Sequence, residues 1–260
     1  MDKYELARQL KAPAVDREAY ICNTCTGKSV IDLGCIRHNA EFASTDPNWL
    51  HKRIKAVALR VVGVDYLRDE IPKLVALGFD IQYGDVTRPL DIMEQFDVIV
   101  AGDLIEHLVN FEGFFDNCKR LLKPGGVLLL STPNPFFADE YHYVAFKGSH
   151  LINPEHTCWI DPLAMLQLVS RFDLQIDHIR FVDKSWRLSR LICNSPASEF
   201  DILNGRWSNN TLSRKVFRRL FGLAFGLMYT PLRWLTGSYA SLVRHSDYLA
   251  VISKSDTAGN

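Results

Sequence analysis

Residues 96–108 read Phe96-Asp-Val-Ile-Val-Ala-Gly-Asp-Leu-Ile-Glu-His-Leu108, an apolar run followed by a polar turn. The run is short and mostly apolar, which is typical of a strand that is covered on both faces in a parallel sheet. The turn brings Asp103, Glu106 and His107 to the end of this strand. We therefore expect a parallel sheet with reactive side chains at its carboxyl edge.

Similar apolar runs lie on both sides of this stretch and alternate with longer amphipathic segments. This alternation predicts a parallel sheet that is covered by helices. The predicted strands are residues 29–33, 61–65, 79–83, 96–101, 126–132, 174–182 and 248–253. The predicted helices are residues 48–60, 67–77 and 110–122, with a further helix that starts at Asp161-Pro162 and runs to about Arg171.

The composition is that of an ordinary globular protein. Of the 260 residues 47% are apolar, and 30 basic residues balance 30 acidic ones, which excludes a disordered, collagen-like or multi-pass membrane chain. The first residues lack the basic and apolar segments of a targeting signal, so we expect a cytoplasmic protein. The spacing of Cys22-Asn-Thr-Cys25 is half of a zinc site, but no matching second pair follows, and we expect no structural metal there.

The net charge of zero conceals two parts of opposite sign. Residues 202–246 include seven basic residues and no acidic one, which leaves 23 basic and 30 acidic residues elsewhere. The same stretch fills most of the gap between the last two predicted strands, which is far longer than an ordinary connection. Its uncharged segment 220–232 is shorter than the roughly 20 residues that a membrane span needs. We predict a helical insertion whose residues 212–236 lie on an anionic membrane surface, or else pack on the protein or on a dimer partner.

Acidic residues lie at the ends of four predicted strands. They are Asp32, Asp65, Asp85 and Asp103. Carboxyl ends of parallel strands meet at one edge, so this edge is expected to receive a nucleotide-like ligand. Gly34 would let the backbone approach that ligand closely, Asp65 would accept hydrogen bonds from two ribose hydroxyls, and Asp85 would accept one from an adenine amino group.

With these motifs in order, the chain resembles the class I S-adenosylmethionine-dependent methyltransferases. The resemblance covers about residues 29–131 and the closing strands, and it includes Lys123-Pro-Gly-Gly-Val-Leu-Leu-Leu-Ser-Thr-Pro-Asn134. The chain is similar to the small-molecule branch that contains quinone O-methyltransferases and the methyltransferases of polysaccharide gene clusters. The resemblance implies a Rossmann-like α/β fold with a seven-stranded sheet, a reversed final hairpin and bound S-adenosylmethionine. The cofactor-binding residues that it implies are Asp32, Gly34, Cys35, Asp65, Tyr66, Asp85, Val86 and Asp103.

The loop after the first strand departs from the family pattern. That pattern is usually Gly-x-Gly-x-Gly, whereas Ile36 and His38 stand where the second and third glycines would follow Gly34. A β-branched residue such as Ile36 tolerates a positive φ poorly. The stretch 37–47 is also longer than a tight turn. We interpret it as a remodelled lid whose residues 37–39 contact cofactor or substrate; the alternative is a degenerate site on a non-catalytic relative.

Other classes of protein fit less well. A nicotinamide-binding fold would carry Gly-x-Gly-x-x-Gly after the first strand, and that pattern is absent. DNA amino-methyltransferases carry an Asn/Asp-Pro-Pro-aromatic turn after the fourth strand, where this chain has Asp103-Leu-Ile-Glu. Thr132-Pro-Asn-Pro-Phe136 comes one strand later and is interpreted as a proline turn. Nucleic acid is not expected as a partner, because apolar bulk accompanies the basic residues of the insertion.

Two histidines are candidate bases for methyl transfer to an oxygen. His107 and its neighbour Glu106 lie just beyond the fourth strand and are predicted as catalytic residues, although the pair could instead fix a helix start. His156 is the second candidate for base or acceptor binding, or else a solvated loop histidine. Asp103, Glu106 and His107 resemble a cluster that can hold a divalent ion in quinone O-methyltransferases, but we predict no metal. Flat faces for a sugar or aromatic ring would come from Tyr141, Tyr143 and Trp159.

We therefore predict a cytoplasmic O-methyltransferase that docks on the inner membrane face and modifies a small molecule or a lipid-linked glycan. A quinone-like phenol is the alternative acceptor, and a non-catalytic binding subunit is the alternative class. The predicted domains are an N-terminal helical cap (1–28), a methyltransferase core (29–185), the insertion (186–246) and the last strand with its tail (247–260). The oligomeric state is not predicted.

Overall fold

The computed structural model describes residues 1–137, 140, 153–185 and 245–255. In this part of the chain the strands are β1 (Ser29–Leu33), β2 (Arg60–Asp65), β3 (Ile81–Tyr83), β4 (Phe96–Gly102), β5 (Leu122–Pro133), β6 (Leu174–Ser185) and β7 (His245–Lys254). The helices are α1 (Lys3–Gln9), α2 (Arg17–Cys25), α3 (Ala40–Thr45), α4 (Leu50–Val57), α5 (Ile71–Ala76), α6 (Phe111–Leu121) and α7 (Pro162–Val169). Short 3-10 turns cover Ile105–His107 and Ser170–Phe172.

The strands form one mixed sheet in the order β3-β2-β1-β4-β5-β7-β6. β1 to β5 pair in parallel, whereas β7 is antiparallel to both β5 and β6. Because the strand order reverses between β1 and β4, the loops after β1, β2 and β4 leave one edge of the sheet as neighbours. The predicted Rossmann-like sheet with its reversed final hairpin is confirmed. Nearly all of the predicted insertion, residues 186–244, lies outside the described residues.

Hydrophobic packing covers both faces of the sheet. Val30 points to one face, where it belongs to a buried cluster with Ile21 of α2 and Ile54 of α4. Ile31 points to the other face and shares a larger cluster with Phe114 of α6. Successive side chains of a strand point to opposite faces, so both residues of this pair are buried only when helices lie on both sides. Each fully buried side chain of this size contributes about 1.5–3 kcal/mol.

Several element boundaries differ from the predictions by a few residues, and for β5 and α5 the structure gives the physical reason. β5 begins at Leu122 rather than at residue 126, because Leu122 pairs with Phe96 and the register then shifts so that Val127 pairs with Val98. The predicted Lys-Pro-Gly-Gly turn is therefore an irregularity within the strand. α5 covers only Ile71–Ala76, since the preceding residues form a turn in which the main-chain N–H of Leu67 donates to Asp65 Oδ1.

The N-terminal segment covers the outer edge of the sheet. Val15 forms a parallel bridge with Val182 of β6, and its N–H donates to the carbonyl of Phe181 at 3.0 Å. The side chain of Gln9 accepts from the N–H of Ile179 at 2.8 Å. An exposed edge strand can pair with other chains, and this segment occupies that position along β6. Both α1 and α2 lie within the predicted N-terminal cap, whose status as a separate domain stays a prediction.

A polar cluster at the amino end of the sheet joins three strands. The N–H and Oγ of Ser29 donate to Asp97 Oδ2 at 2.9 Å and 2.6 Å, and Lys123 Nζ lies 3.1 Å from Asp97 Oδ1. The hydrogen bonds from Ser29 and the charge of Lys123 lower the pKa of Asp97 to about 2, from an ordinary value of 3.8. The native state therefore favours the ionised carboxylate.

We expect Asp97→Asn to lower the free energy of unfolding at pH 7 by roughly 1 kcal/mol, because the group is partly exposed and water screens its ion pair. A depressed native pKa stabilises the fold above the unfolded-state pKa, and this stabilisation is lost as the pH falls from about 4 towards 2. The free energy of unfolding is measured with urea between pH 7 and pH 3. The difference between Asp97→Asn and wild type in this quantity should become smaller below pH 4. The exposed Asp91→Asn is the matched control. A difference that stays constant with pH would contradict this assignment.

Candidate active site

The site begins at the loop that follows β1. Gly34 has a φ of 71°, and a Cβ there would lie 2.8 Å from the side chain of Leu104. Glycine is therefore required at this position both for the backbone conformation and for the close approach of the turn after β4. Ile36 does not have a positive φ; the next such residue is His38, at 59°. The strain anticipated at Ile36 is thus absent, and its side chain is buried among apolar neighbours.

Asp65 joins the end of β2 to the loop after β1. Its Oδ2 accepts from the N–H of Ile36 at 2.8 Å, and its Oδ1 accepts from the N–H of Leu67 at 3.0 Å. Burial raises the pKa of Asp65, although these N–H groups oppose the shift. A carboxylate oxygen accepts about two hydrogen bonds, so each oxygen retains capacity for a ligand hydroxyl. The neighbouring Tyr66 side chain is exposed at this edge.

The segment 37–47 contains a helix that the sequence analysis did not predict, α3. The side chain of Asn39 caps this helix by accepting from the N–H of Phe42 at 2.8 Å. Arg37 forms an ion pair with Asp46 at 2.9 Å, and its guanidinium lies over the ring of Phe42. Arg37 and Asn39 thus stabilise the segment internally. Their predicted contact with cofactor or substrate stays a prediction.

A buried pair beneath this loop was missed by the sequence analysis. His51 of α4 places Nδ1 2.9 Å from Oδ2 of Asp32, and the two residues are 0% and 3% exposed. Nearby, Trp49 Nε1 donates to the carbonyl of Cys35 at 2.7 Å. His51 shares one face of the predicted helix with apolar Ile54, so a histidine on an apolar face was the available signal.

Glycine in β2 makes room for this pair. Gly63 lies opposite Asp32 in the sheet. A Cβ at Gly63 would lie 2.6 Å from Cys35 Sγ and 3.0 Å from His51 Cε1. Any larger residue would therefore displace side chains that support the loop after β1.

The loop after β3 carries Asp85 and Val86. Asp85 Oδ1 accepts from the N–H and Oγ1 of Thr87 at 2.9 Å and 2.6 Å, and its Oδ2 faces Arg88. The Thr87 hydroxyl is the main cause of the lowered pKa of Asp85, so the carboxylate is favoured. Val86 is buried, and its carbonyl accepts from the side chain of Asn117 in α6 at 2.9 Å.

Asp103, which follows β4, is engaged by the N-terminal segment. Arg17 Nη1 lies 2.5 Å from Asp103 Oδ2, while Ser131 Oγ donates to Asp103 Oδ1 at 3.0 Å. Asp103 has a φ of 51°, a conformation that aspartate tolerates better than most residues. A Cβ at Gly102 would lie 3.0 Å from Arg17 Nη2, so glycine leaves space for the guanidinium. The sequence analysis did not identify Arg17, since its partner lies 86 residues away.

The 3-10 turn after β4 buries the side chain of Glu106 and leaves that of His107 partly exposed. Glu106 is 2% exposed, and its Oε2 accepts from Thr132 Oγ1 at 2.9 Å. Burial, assisted by the charge of Asp103, raises the pKa of Glu106 to about 8. This shift favours the protonated form of the buried carboxyl group.

His156 reaches the same turn from a distant part of the chain. The N–H of Thr157 donates to the carbonyl of Glu106 at 2.7 Å and fixes this contact. The rings of His107 and His156 stand edge to face, with 4.7 Å between their centroids. Burial, followed by the nearby His107, lowers the pKa of His156 and favours the neutral ring. All three predicted catalytic residues therefore meet at one place.

The same three side chains could hold a divalent ion, although the sequence analysis predicted none. One ligand atom from each of Glu106, His107 and His156 lies within 4.8 Å of the others. Glu106 Oε1 is buried and has no hydrogen-bond partner among the described residues, which fits an oxygen that is available to a cation. Asp103, which the sequence analysis grouped with Glu106 and His107, forms an ion pair with Arg17 instead. Cys25 of the other candidate pair is buried, and burial raises its pKa to about 12, which disfavours the thiolate that binds metal.

Other predicted features are structural or lie outside the described residues. Asn134 Nδ2 donates to the carbonyl of His245, and Asn134 Oδ1 accepts from the N–H of Phe136, so this turn joins β5 to β7. Trp159 is partly exposed. Tyr141, Tyr143 and the proposed membrane segment 212–236 are not among the described residues. Within the described ranges, no helix has the length and hydropathy that crossing a membrane requires.

The sheet order, the reversed hairpin and the strand-end carboxylates together define a class I methyltransferase type of α/β protein. A family model described as a methyltransferase domain matches residues 5–179, and the chain belongs to this family. The predicted membership of the class I S-adenosylmethionine-dependent methyltransferase family is thereby confirmed.

Individual relatives agree with this assignment. A Mycolicibacterium smegmatis protein, named as a probable S-adenosylmethionine-dependent methyltransferase, is 33% identical over 166 residues, which are 60% of this chain and 56% of that protein. A Nitrobacter winogradskyi ubiquinone biosynthesis O-methyltransferase is 29% identical over 137 residues, 51% of this chain and 49% of that protein. The chain thus spans about half the length of these curated relatives. The crystal structure of a SAM-dependent methyltransferase from Archaeoglobus fulgidus shares the fold, with a TM-score of 0.53 and 20% identity over 97% of this chain and 100% of that one.

Proposed function

We propose that the chain transfers a methyl group from S-adenosylmethionine to an oxygen, with His107 or His156 as the base. The observation that carries this proposal is the pair of imidazole rings, 4.7 Å apart, at the carboxyl end of β4. When bound, S-adenosylmethionine supplies an electrophilic methyl group. The residues of the site must hold the acceptor oxygen in line with that methyl group and take the proton from its hydroxyl.

For the cofactor we propose two kinds of residue. Asp65 and Asp85 fit direct contacts with ribose and adenine, because their carboxylates lie at adjacent strand ends and retain acceptor capacity. Asp32 and Asp103 are bound by His51 and Arg17, and we infer that they act by holding the loops around the ligand. The remaining proposed contacts are Gly34, Cys35, Tyr66 and Val86.

For the acceptor we propose a lipid-linked glycan or a related envelope intermediate, modified at the cytoplasmic face of the inner membrane. The support is the sequence of residues 212–236, which combines arginine and lysine with phenylalanine, leucine and tryptophan. A quinone-like phenol is the second candidate. It is favoured by the ubiquinone biosynthesis O-methyltransferases among the relatives, and it would equally require access to a lipid surface.

The test uses the full chain and S-adenosylmethionine with a labelled methyl group. Label transfer is measured to lipid-linked oligosaccharides and to a short-chain catechol, each with and without added Mg²⁺ or Zn²⁺. Transfer to the lipid-linked oligosaccharides supports the glycan as acceptor. Transfer to the catechol alone would contradict the glycan and favour the quinone-like phenol as acceptor. No calorimetric binding of S-adenosylmethionine at millimolar concentration would contradict the enzyme and favour a non-catalytic binding subunit.

Membrane contact is tested separately, by co-sedimentation with liposomes that contain anionic lipid. Each basic residue near an anionic surface contributes about 1 kcal/mol, so removing two should weaken binding roughly 30-fold. We expect at least this loss for the double variant Arg218→Glu/Arg219→Glu, which also adds two negative charges. The control Lys52→Glu/Arg171→Glu makes the same change of net charge at exposed residues of the core. Equal binding by the two double variants, or no binding by wild type, would refute the membrane proposal.

A further inference from the structure

One face of α6 binds the main chain of the loop after β3. The residues of this face recur every three or four positions, which places them on one side of the helix. They are Asn110, Gly113, Asn117 and Arg120. An adjoining face of α6 carries Phe114, Phe115, Cys118 and Leu121, which pack in the hydrophobic core. The helix therefore links the core to residues 86–92, which have no regular secondary structure.

Asn117 is the centre of this polar face. It is 2% exposed, and its Nδ2 donates to the carbonyls of Val86 at 2.9 Å and Arg88 at 2.6 Å. Its Oδ1 accepts from the N–H of Leu90 at 3.1 Å and from Arg120 Nη2 at 3.1 Å. An amide side chain has two N–H donors and two lone pairs on its oxygen, so Asn117 uses its full capacity here. No other uncharged side chain of this size offers both functions.

The remaining members extend the same contact along the loop. Asn110 Nδ2 donates to the carbonyl of Thr87 at 3.0 Å, and Arg120 Nη2 donates to the carbonyl of Leu90 at 2.8 Å. A Cβ at Gly113 would lie only 2.0 Å from the carbonyl oxygen of Thr87. The helix backbone therefore approaches the loop too closely for any side chain at that position.

The loop held in this way carries Asp85 and Val86, the proposed adenine contacts. Hydrogen-bond recognition of a base depends on the placement of donors and acceptors to a fraction of an ångström. We propose that Asn117 is a positioning residue that determines the selectivity of the cofactor site for adenine, by fixing the main chain at Val86 and Arg88. This inference rests on the proposed function, because it takes the loop after β3 as part of the cofactor site.

The test compares Asn117→Asp with wild type by calorimetry on the full chain. The variant keeps the shape of the side chain but replaces its two N–H donors with an oxygen that faces two carbonyls. Two probes are used, S-adenosylhomocysteine and S-inosylhomocysteine, in which an oxo group replaces the adenine amino group. We expect wild type to prefer the adenine probe at least tenfold. In Asn117→Asp the affinity for this probe should fall about tenfold and the preference should shrink below threefold. The KM for S-adenosylmethionine should rise, with kcat at saturation changed less than twofold.

Two further variants keep the result decisive. Asn110→Ser retains a helix-capping oxygen but loses the contact with Thr87, and should reduce the preference by a smaller factor. Asn23→Asp, on the exposed surface of α2, makes the same chemical change elsewhere and should leave the preference at its wild-type value. A merely structural role would lower the thermal stability of Asn117→Asp without changing the ratio of the two affinities. If the ratio of the two affinities is unchanged in Asn117→Asp, this inference is overturned while the proposed function stands. If that variant does not fold, an unchanged ratio in Asn110→Ser has the same meaning. Failure of wild type to bind S-adenosylhomocysteine would instead overturn the proposed function and this inference with it.

Discussion

Replacing His107 by alanine is expected to lower kcat by about 100-fold, at the lower end of the range for removal of a general base. The affinity for S-adenosylmethionine should change less than twofold, because His107 lies in the turn after β4 and the proposed cofactor contacts lie mainly after β1, β2 and β3. Turnover with saturating acceptor and cofactor, together with calorimetry, measures both quantities. The control is Val109→Ala, an exposed residue at the end of the same turn.

Two outcomes decide what His107 does. If it is the base, added imidazole should restore part of the turnover of His107→Ala. The variant His156→Ala should then change kcat by a different factor from His107→Ala. If it is instead a metal ligand, His107→Ala, His156→Ala and Glu106→Gln should each lose the same bound ion in elemental analysis, and imidazole should restore nothing without that ion. Undiminished turnover in His107→Ala would remove it from the reaction altogether.

The second large effect is expected from His51, which has no proposed contact with a ligand. His51→Leu should lower the free energy of unfolding by about 3 kcal/mol, because it leaves the Asp32 carboxylate buried without its partner. The affinity for S-adenosylmethionine should fall as well, since Asp32 precedes the loop that contains Gly34. Urea unfolding monitored by circular dichroism gives the first quantity, and calorimetry gives the second.

A double-mutant cycle isolates the contribution of the pair. The variants are His51→Leu, Asp32→Asn and their combination. Because the double variant contains no unpaired buried charge, it should be more stable than the sum of the two single losses implies. Additive losses would show that the contact between His51 Nδ1 and Asp32 Oδ2 does not contribute to the free energy of unfolding.

The sequence allowed the sheet to be predicted because its strands are short apolar runs with clear ends. β1 was predicted with its observed bounds, and the helix start at Asp161-Pro162 agrees with α7, where the Asp161 side chain accepts from the N–H of Leu163. The boundaries that failed depend on contacts that no local pattern encodes. β5 begins early because Leu122 pairs with Phe96, and α3 forms within the segment that was interpreted as a remodelled lid.

The candidate site was predictable to the extent that it follows strand ends. The carboxylates at or just beyond the ends of β1, β2, β3 and β4 could be located from the sequence, and so could Glu106 and His107. The contacts of Arg17, His51 and Asn117 could not, because each is made with a residue that is distant along the chain, and only His51 left a signal, as a histidine on an apolar helix face. The meeting of His156 with His107 depends in the same way on the hydrogen bonds of Thr157 to the turn after β4.

The bridge between Val15 and β6 has a consequence for the order of folding. Within the described residues, β6 joins the sheet only through β7, the strand that follows all the others along the chain. The bond from Ile179 to Gln9 closes a loop of 170 residues, and such closure is slow because its entropy is lost before the contact forms. During synthesis, β1 to β5 can assemble while the segment that carries Arg17 still lacks its partner strand. The bridge between Val15 and β6 is therefore expected to form late, only after β7 has joined the sheet and brought β6 with it.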